Sequence, residues 1–333
     1  MKILILRFSS LGDILLATPV LDVLKDKYPD CEIDWVVKSK FAEVLITNPR
    51  LNRVLTFKDK SGLENIREDI RKTKYDLIFD LHQNSNTYYL TRFQKNVYRY
   101  NKRVFDRSML VFVKKKYKEI LPVTQMYFKA LNKAGIETPN EWTLRYGLVK
   151  SFQLSTINEY NLHNFNYITI APGASYATKM WPKEYFKELV EKISFNKNIN
   201  RKVILVGLGE EDEKAAEFIT KGNEFSCINL VGKLDLQETA TILKYSDLVI
   251  SNDSGPLHLA ECFKKKIIAI FGSTTEELGF FPYSTDYVVV ENKDLSCRPC
   301  THFGKKKCPK KHFKCMIDIT VDDVYREVLN FLR

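Results

Sequence analysis

Residues 247–263 read DLVISNDSGPLHLAECF. An apolar run, Leu248–Ile250, leads into Asn, Asp, Ser, Gly and Pro, and then into apolar residues at helical spacing. That order spells a strand, a tight turn and a helix. Pro256 suits a first helical position, where the N–H it lacks would have no partner anyway. Asp253 or Ser254 would suffice to cap the helix, so capping alone leaves Gly255 and His258 unexplained. A helix start offers unpaired N–H donors and partial positive charge, and a glycine there lets a phosphate come close. Asp253, Ser254, Gly255 and His258 are therefore candidate contacts for a phosphorylated ligand.

The same strand-then-helix unit recurs outward along all 333 residues. KILIL, EIDWVV, RVLTF and YDLIFDL are apolar strands separated by helical segments such as DILLATPVLDVLKDKY and GLENIREDIRKT. After a pause at residues 132–153, with Gly135, Pro139 and Gly147, the pattern restarts with NYITIAPG, KVILVG, DLVIS and KIIAIFG. Apolar strands alternating with helices predict α/β architecture with parallel sheets covered on both faces. Two doubly wound domains are expected, residues 1–150 and 151–320. An amphipathic helix at 321–333 is expected to pack back towards the first domain.

The net charge of +11 is uneven. Residues 1–150 hold 28 Lys and Arg against 17 Asp and Glu, whereas residues 151–333 hold 24 of each. The excess peaks at residues 92–118, with ten basic residues, one acid and interleaved aromatics. Such a segment attracts nucleic acid, anionic headgroups or a phosphorylated glycolipid, unless it is simply a solvated basic face. Arg92, Lys95, Arg99, Lys102, Arg103, Arg107, Lys114, Lys115 and Lys116 are its candidate contacts. No uncharged apolar run reaches the length of a membrane span, and the N-terminus reads as a strand rather than a signal peptide. A cytoplasmic location is the expectation.

Other strand ends carry suggestive residues. RFSSLGD follows the first strand with Ser9, Ser10 and Asp13. Asp13 is either a helix cap or a general base. APGASYATKMWP carries Ser175, Thr178 and Lys179, suited to a diphosphate, although a lone loop lysine is commonly just solvated. VGLGEEDE lacks the third glycine of a dinucleotide fingerprint, and its acids would repel pyrophosphate. Glu211, or alternatively Glu213, could accept hydrogen bonds from ribose, or the acids could simply favour the helix start. Of seven cysteines, Cys31, Cys227 and Cys262 are expected to be buried and reduced. Cys297, Cys300, Cys308 and Cys315 are spaced C-x2-C-x7-C-x6-C, with His302 and His312 among them. They are either reduced thiols or a structural zinc site.

In order along nearly the whole chain, these motifs resemble glycosyltransferase family 9, the ADP-heptose:lipopolysaccharide heptosyltransferases. The resemblance implies a GT-B fold, two Rossmann-like domains facing a cleft, with the acceptor on the N-terminal domain and the nucleotide-sugar on the C-terminal one. It implies inverting, metal-independent transfer of heptose from ADP-heptose to an inner-core sugar, without a cofactor. By the same likeness Asp13 is the general base, with Ser10 beside the acceptor, and Lys179 and Ser175 meet the leaving diphosphate. Thr178 lies with them on the donor side, Glu211 binds ribose, Leu234 lies on adenine, and Asp253, Ser254, Gly255 and His258 surround the diphosphate and sugar. The partners implied are the nucleotide-sugar, a lipid A inner-core precursor and the anionic inner face of the inner membrane. Two other readings stand beside it: a related transferase with another nucleotide-sugar, and a basic nucleic-acid-binding protein with a zinc knuckle. The second leaves the strand-end motifs unexplained.

Overall fold

The alternating apolar runs become eleven strands in two sheets, and every strand pairing is parallel. The computed structural model describes residues 1–333. The first sheet contains β1 (Lys2–Leu6), β2 (Glu32–Lys38), β3 (Arg53–Phe57), β4 (Leu77–Asp80) and β5 (Val97–Arg99) in the order β3-β2-β1-β4-β5. The second contains β6 (Tyr167–Ala171), β7 (Lys202–Leu205), β8 (Cys227–Asn229), β9 (Leu248–Asn252), β10 (Ile267–Ile270) and β11 (Tyr287–Val290) in the order β11-β10-β9-β6-β7-β8. Central parallel strands are covered on both faces, which is why they read as unbroken apolar runs. Ile3–Leu6, Leu248–Ile250 and Ile267–Ile270 are wholly buried. Each such side chain contributes about 1.5–3 kcal/mol by leaving water.

The strand order reverses between β1 and β4 in one sheet and between β6 and β9 in the other. At such a point the two following loops diverge, opening a crevice beyond the carboxyl ends of the strands. Leu6 pairs with Asp80 at the first reversal, and Ala171 with Ser251 at the second. RFSSLGD and DLHQ therefore leave one reversal point, and APGAS and NDSGP the other.

The chain forms two compact units, Met1–Val104 with Leu121–Gly147, and Phe105–Ile120 with Leu148–Arg333. The sequence pattern puts the whole basic segment 92–118 in the first half; residues 105–118 instead belong to the second unit. Lys114 holds them there, its Nζ donating to the carbonyls of Cys297 (2.9 Å) and Pro299 (2.6 Å). The helix Val321–Leu332 belongs to the second unit and buries Val321, Val324 and Val328 in the C-terminal core with Phe186, Leu189 and Ile193. Thr320 caps it, accepting from the Asp323 amide. The helix Lys150–Glu159 begins inside the predicted pause, and β5 lies unannounced inside the basic segment. Cys31 and Cys227 are buried as expected, whereas Cys262 is half-buried; all seven cysteines are free thiols.

Candidate active site

At the first reversal point, Arg7 follows β1 and turns inward. Its Nη1 donates to the Leu81 carbonyl (2.8 Å), and its Nη2 lies 2.7 Å from Asp13 Oδ1. Burial disfavours the Arg7 charge, but Asp13, Tyr127 and Tyr100 outweigh it and hold the guanidinium protonated. Asp13 occupies the third position of the helix Leu11–Ala17, and its Oδ2 accepts from the Ser10 amide (3.2 Å) and hydroxyl (2.8 Å). The carboxylate that completes the cap is thus fixed from both sides yet still 20% exposed. Beyond β4, Asp80 accepts from the amides of His82 and Gln83, and the His82 ring lies on Phe8.

At the second reversal point, Asn252 ties the two loops together. Its Nδ2 donates to the Pro172 carbonyl (2.7 Å), and its Oδ1 accepts from the Trp181 amide (3.1 Å). Lys179 Nζ lies 2.7 Å from Asp253 Oδ2, which also accepts from the Thr274 hydroxyl at 2.6 Å. Asp253 is therefore engaged with the lysine: a carboxylate there would repel a diphosphate directly, but it fixes an ammonium that has further protons to donate. Ser175 is exposed, and Ser254 and Gly255 are partly so, with the two hydroxyls of Ser251 and Ser254 3.1 Å apart.

Two residues expected on the donor side face elsewhere. Thr178 is buried; its hydroxyl accepts from the Lys305 amide (2.7 Å), and its amide donates to the Lys305 carbonyl (3.1 Å). His258 is 3% exposed and its Nδ1 lies 3.3 Å from Glu261 Oε2. Glu261 also accepts from the amides of Tyr283 and Ser284. Burial pushes that carboxyl up, but His258 and the two amides reverse the effect and hold it below the usual carboxylate range. The short helix Gly255–Glu261 is thereby pinned to the loop at 283–284.

The acids of VGLGEEDE separate by role. Glu211 points to solvent, 3.9 Å from Lys214. Asp212 lies so close to Gly173 that a Cβ there would meet its Oδ2 at 2.0 Å, which is why that loop position is glycine. Burial raises the Asp212 pKa, although the Leu208 amide donates to it. Glu213 lies against Gly232, where a Cβ would meet Oε1 at 2.6 Å. Leu234, half-buried, packs against the apolar cluster that includes Val206, Leu230 and Ile242.

The cysteine tail is held by an arginine that sequence reading passed over. Arg298 is ion-paired with Glu291 (2.7 Å) and donates to the carbonyls of Gly272, Phe271, Asn292 and Thr274. Burial, with Cys300, Cys308 and Cys297 nearby, pushes the Cys315 thiol up to about 12. No three His, Cys, Asp or Glu side chains are arranged to hold a metal ion. The motif's observed work is as a strap over the loops that carry Lys179 and Thr274.

The basic candidates divide likewise. Arg107 is buried, and Lys114 is committed to carbonyls, its pKa lowered by burial. Arg99 is ion-paired with Asp80 (3.3 Å), and Lys102 donates to the Gln83 carbonyl (2.7 Å). Arg103 is half-buried, its amide donating to Asn101 Oδ1. Arg92, Lys95, Lys115 and Lys116 are exposed, although Lys116 lies 3.6 Å from Glu277.

Residues 64–312 match the family model described as glycosyltransferase family 9 (heptosyltransferase). The chain belongs to this family. Glycosyltransferase family 9 also supplies full-length relatives. One is a lipooligosaccharide heptosyltransferase 2 from Campylobacter jejuni, 27% identical over 100% of this chain and 99% of its own. Another is a lipopolysaccharide heptosyltransferase 1 from Campylobacter coli, 29% identical over 98% of each. Among solved structures, a family 9 glycosyl transferase from Veillonella parvula matches with a TM-score of 0.79 at 21% identity, covering 99% of this chain and 97% of that one. E. coli ADP-heptose lps heptosyltransferase II gives 0.77 at 20% identity, over 100% and 98%. These likenesses establish the GT-B fold for this family 9 member.

Proposed function

We propose that this transferase moves heptose from ADP-heptose to an inner-core sugar of a lipopolysaccharide precursor, with inversion. The observation that carries the reading is the Lys179–Asp253–Thr274 constellation at the strand-order reversal of the C-terminal sheet, in a family 9 chain. Asp13 takes the proton from the acceptor hydroxyl, whose oxygen then bonds to the anomeric carbon. The bond from that carbon to the diphosphate breaks, and the electron pair leaves with ADP. Lys179 neutralises the charge that develops on the leaving oxygen, which is where fixed positive charge lowers the barrier. Ser175, Ser254 and the Gly255 backbone bind the diphosphate, and Asp253 serves by aiming Lys179. Glu213, lying over Gly232, is better placed for ribose than the solvent-directed Glu211. Leu234 offers an apolar edge for adenine.

The acceptor is a membrane glycolipid, so the protein works at the inner face of the inner membrane and docks reversibly on anionic lipid. No helix is long and apolar enough to cross a membrane. Donor identity is tested by thermal shift with ADP, UDP, GDP and dTDP, since a ligand stabilises the fold that binds it. ADP is expected to raise Tm most, and a larger shift with another nucleotide would reassign the donor. Lys179→Ala should abolish most of the ADP shift.

A further inference from the structure

The N-terminal reversal point is flanked by two loops, and the proposed transfer step involves a side chain from only one of them. Asp13 follows β1; His82 follows β4, the neighbour across the reversal, where Leu6 pairs with Asp80. The His82 backbone is fixed from both sides. Its amide donates to Asp80 Oδ1 (3.1 Å), and the preceding Leu81 is held by its amide to Leu6 and its carbonyl to Arg7, the arginine that also pairs with Asp13. The ring rests on Phe8, with centroids 4.7 Å apart.

Nδ1 is sealed from solvent and has no hydrogen-bond partner. A buried polar atom without a partner costs stability and calls for an explanation. Burial, with Arg7, Lys102 and Lys38 nearby, disfavours protonation and outweighs Asp13; the pKa is pushed down to about 3. The imidazole is thus neutral under working conditions, neither base nor counter-ion, and what remains to it is hydrogen bonding through Nε2.

We propose that His82 is an acceptor-positioning residue, its Nε2 hydrogen-bonding one hydroxyl of the acceptor sugar so that a neighbouring hydroxyl meets Asp13. The inference rests on the transferase reading, but not on the donor's identity. Two contacts from adjacent strand ends fix a sugar ring in orientation as well as position, the geometric condition for efficient proton removal.

The test is calorimetric titration of the full chain with a detergent-solubilised lipid A inner-core precursor and, separately, with ADP. His82→Ala should weaken precursor binding tenfold or more and leave ADP binding within twofold. His82→Gln, whose amide nitrogen reaches the Nε2 position, should recover binding to within threefold of the wild type; His82→Asn, which imitates Nδ1, should not. Should H82A fail to fold, the Gln and Asn variants decide alone, a tenfold preference for Gln supporting the role and equal binding overturning it. H82A binding the precursor as well as wild type, or wild type not binding it at all, also overturns it. Because binding is read without turnover, a wrong donor assignment appears only in the nucleotide panel.

Discussion

Asp13, as the proposed base, would tie stability and chemistry to one side chain. It caps its helix through Ser10 and neutralises a buried arginine, so truncating it would orphan Arg7 as well as remove the proposed base. Asp13→Asn keeps the cap while removing the proton acceptor: its one carbonyl oxygen can still accept from Ser10, whereas its NH2 then faces Arg7 and cannot pair with it. Turnover of D13N is expected to fall by about 10²–10⁴, the range for general-base catalysis, with ADP affinity unchanged. Asp13→Ala should also lower Tm, by capping loss of about 1 kcal/mol plus the unpaired guanidinium. D13N turning over near the wild-type rate would show that the base lies elsewhere.

At the scale of elements, the helix Gly255–Glu261 is held by polar contacts rather than by length. Glu261 draws together His258, Tyr283 and Ser284 beneath the loop that presents Asp253 and Ser254. Its folded pKa is depressed, so its contribution to stability is present above the ordinary glutamate range and is lost as pH falls through the lower, folded value. Wild-type Tm should therefore drop on acidification, and Glu261→Gln should flatten that part of the profile. Glu261→Ala, which leaves His258 and the part-buried amides of Tyr283 and Ser284 without their acceptor, should lower neutral-pH Tm by roughly 5 °C or more. An acid profile unchanged in E261Q would remove Glu261 as its source. The strands were readable because parallel, doubly covered elements need unbroken apolar runs, and motif positions followed because ligands bind at strand ends. Side-chain roles were less readable. Nothing in DSGPLH says that the histidine turns inward to a glutamate three residues on, nor in TKMWP that Thr178 receives the cysteine strap. Both partners are fixed by packing between segments distant in sequence. Arg298 is hidden in the same way, because its carbonyl and Glu291 partners lie on segments that the spacing of Cys297 and Cys300 does not reveal.

For the whole molecule, the uneven charge acquires a definite surface. Four of the candidate cations, Arg99, Lys102, Arg107 and Lys114, are tied to carboxylates or carbonyls or are buried, so they contribute little to long-range docking. Lys115 and Lys116 remain exposed, on a segment whose Phe105 and Phe112 are 76% and 81% exposed, beside Val113. If this segment is the proposed docking surface for an anionic bilayer, the rings would enter the interface while the ammonium groups meet headgroups. Binding to vesicles of phosphatidylglycerol and phosphatidylethanolamine should exceed binding to phosphatidylcholine and weaken with salt, at about 1 kcal/mol for each lysine near the surface. Replacing Lys115 and Lys116 by Gln should cost roughly tenfold or more in vesicle affinity at low salt, and much less at high salt. Phe105→Ser with Phe112→Ser should weaken binding at both, because the loss of apolar insertion is not screened. Sedimentation that ignores salt and survives the lysine replacements would leave this surface without a lipid partner. In that case the proposed delivery of the acceptor would have to rest on exposed cations of the N-terminal unit such as Arg92 and Lys95.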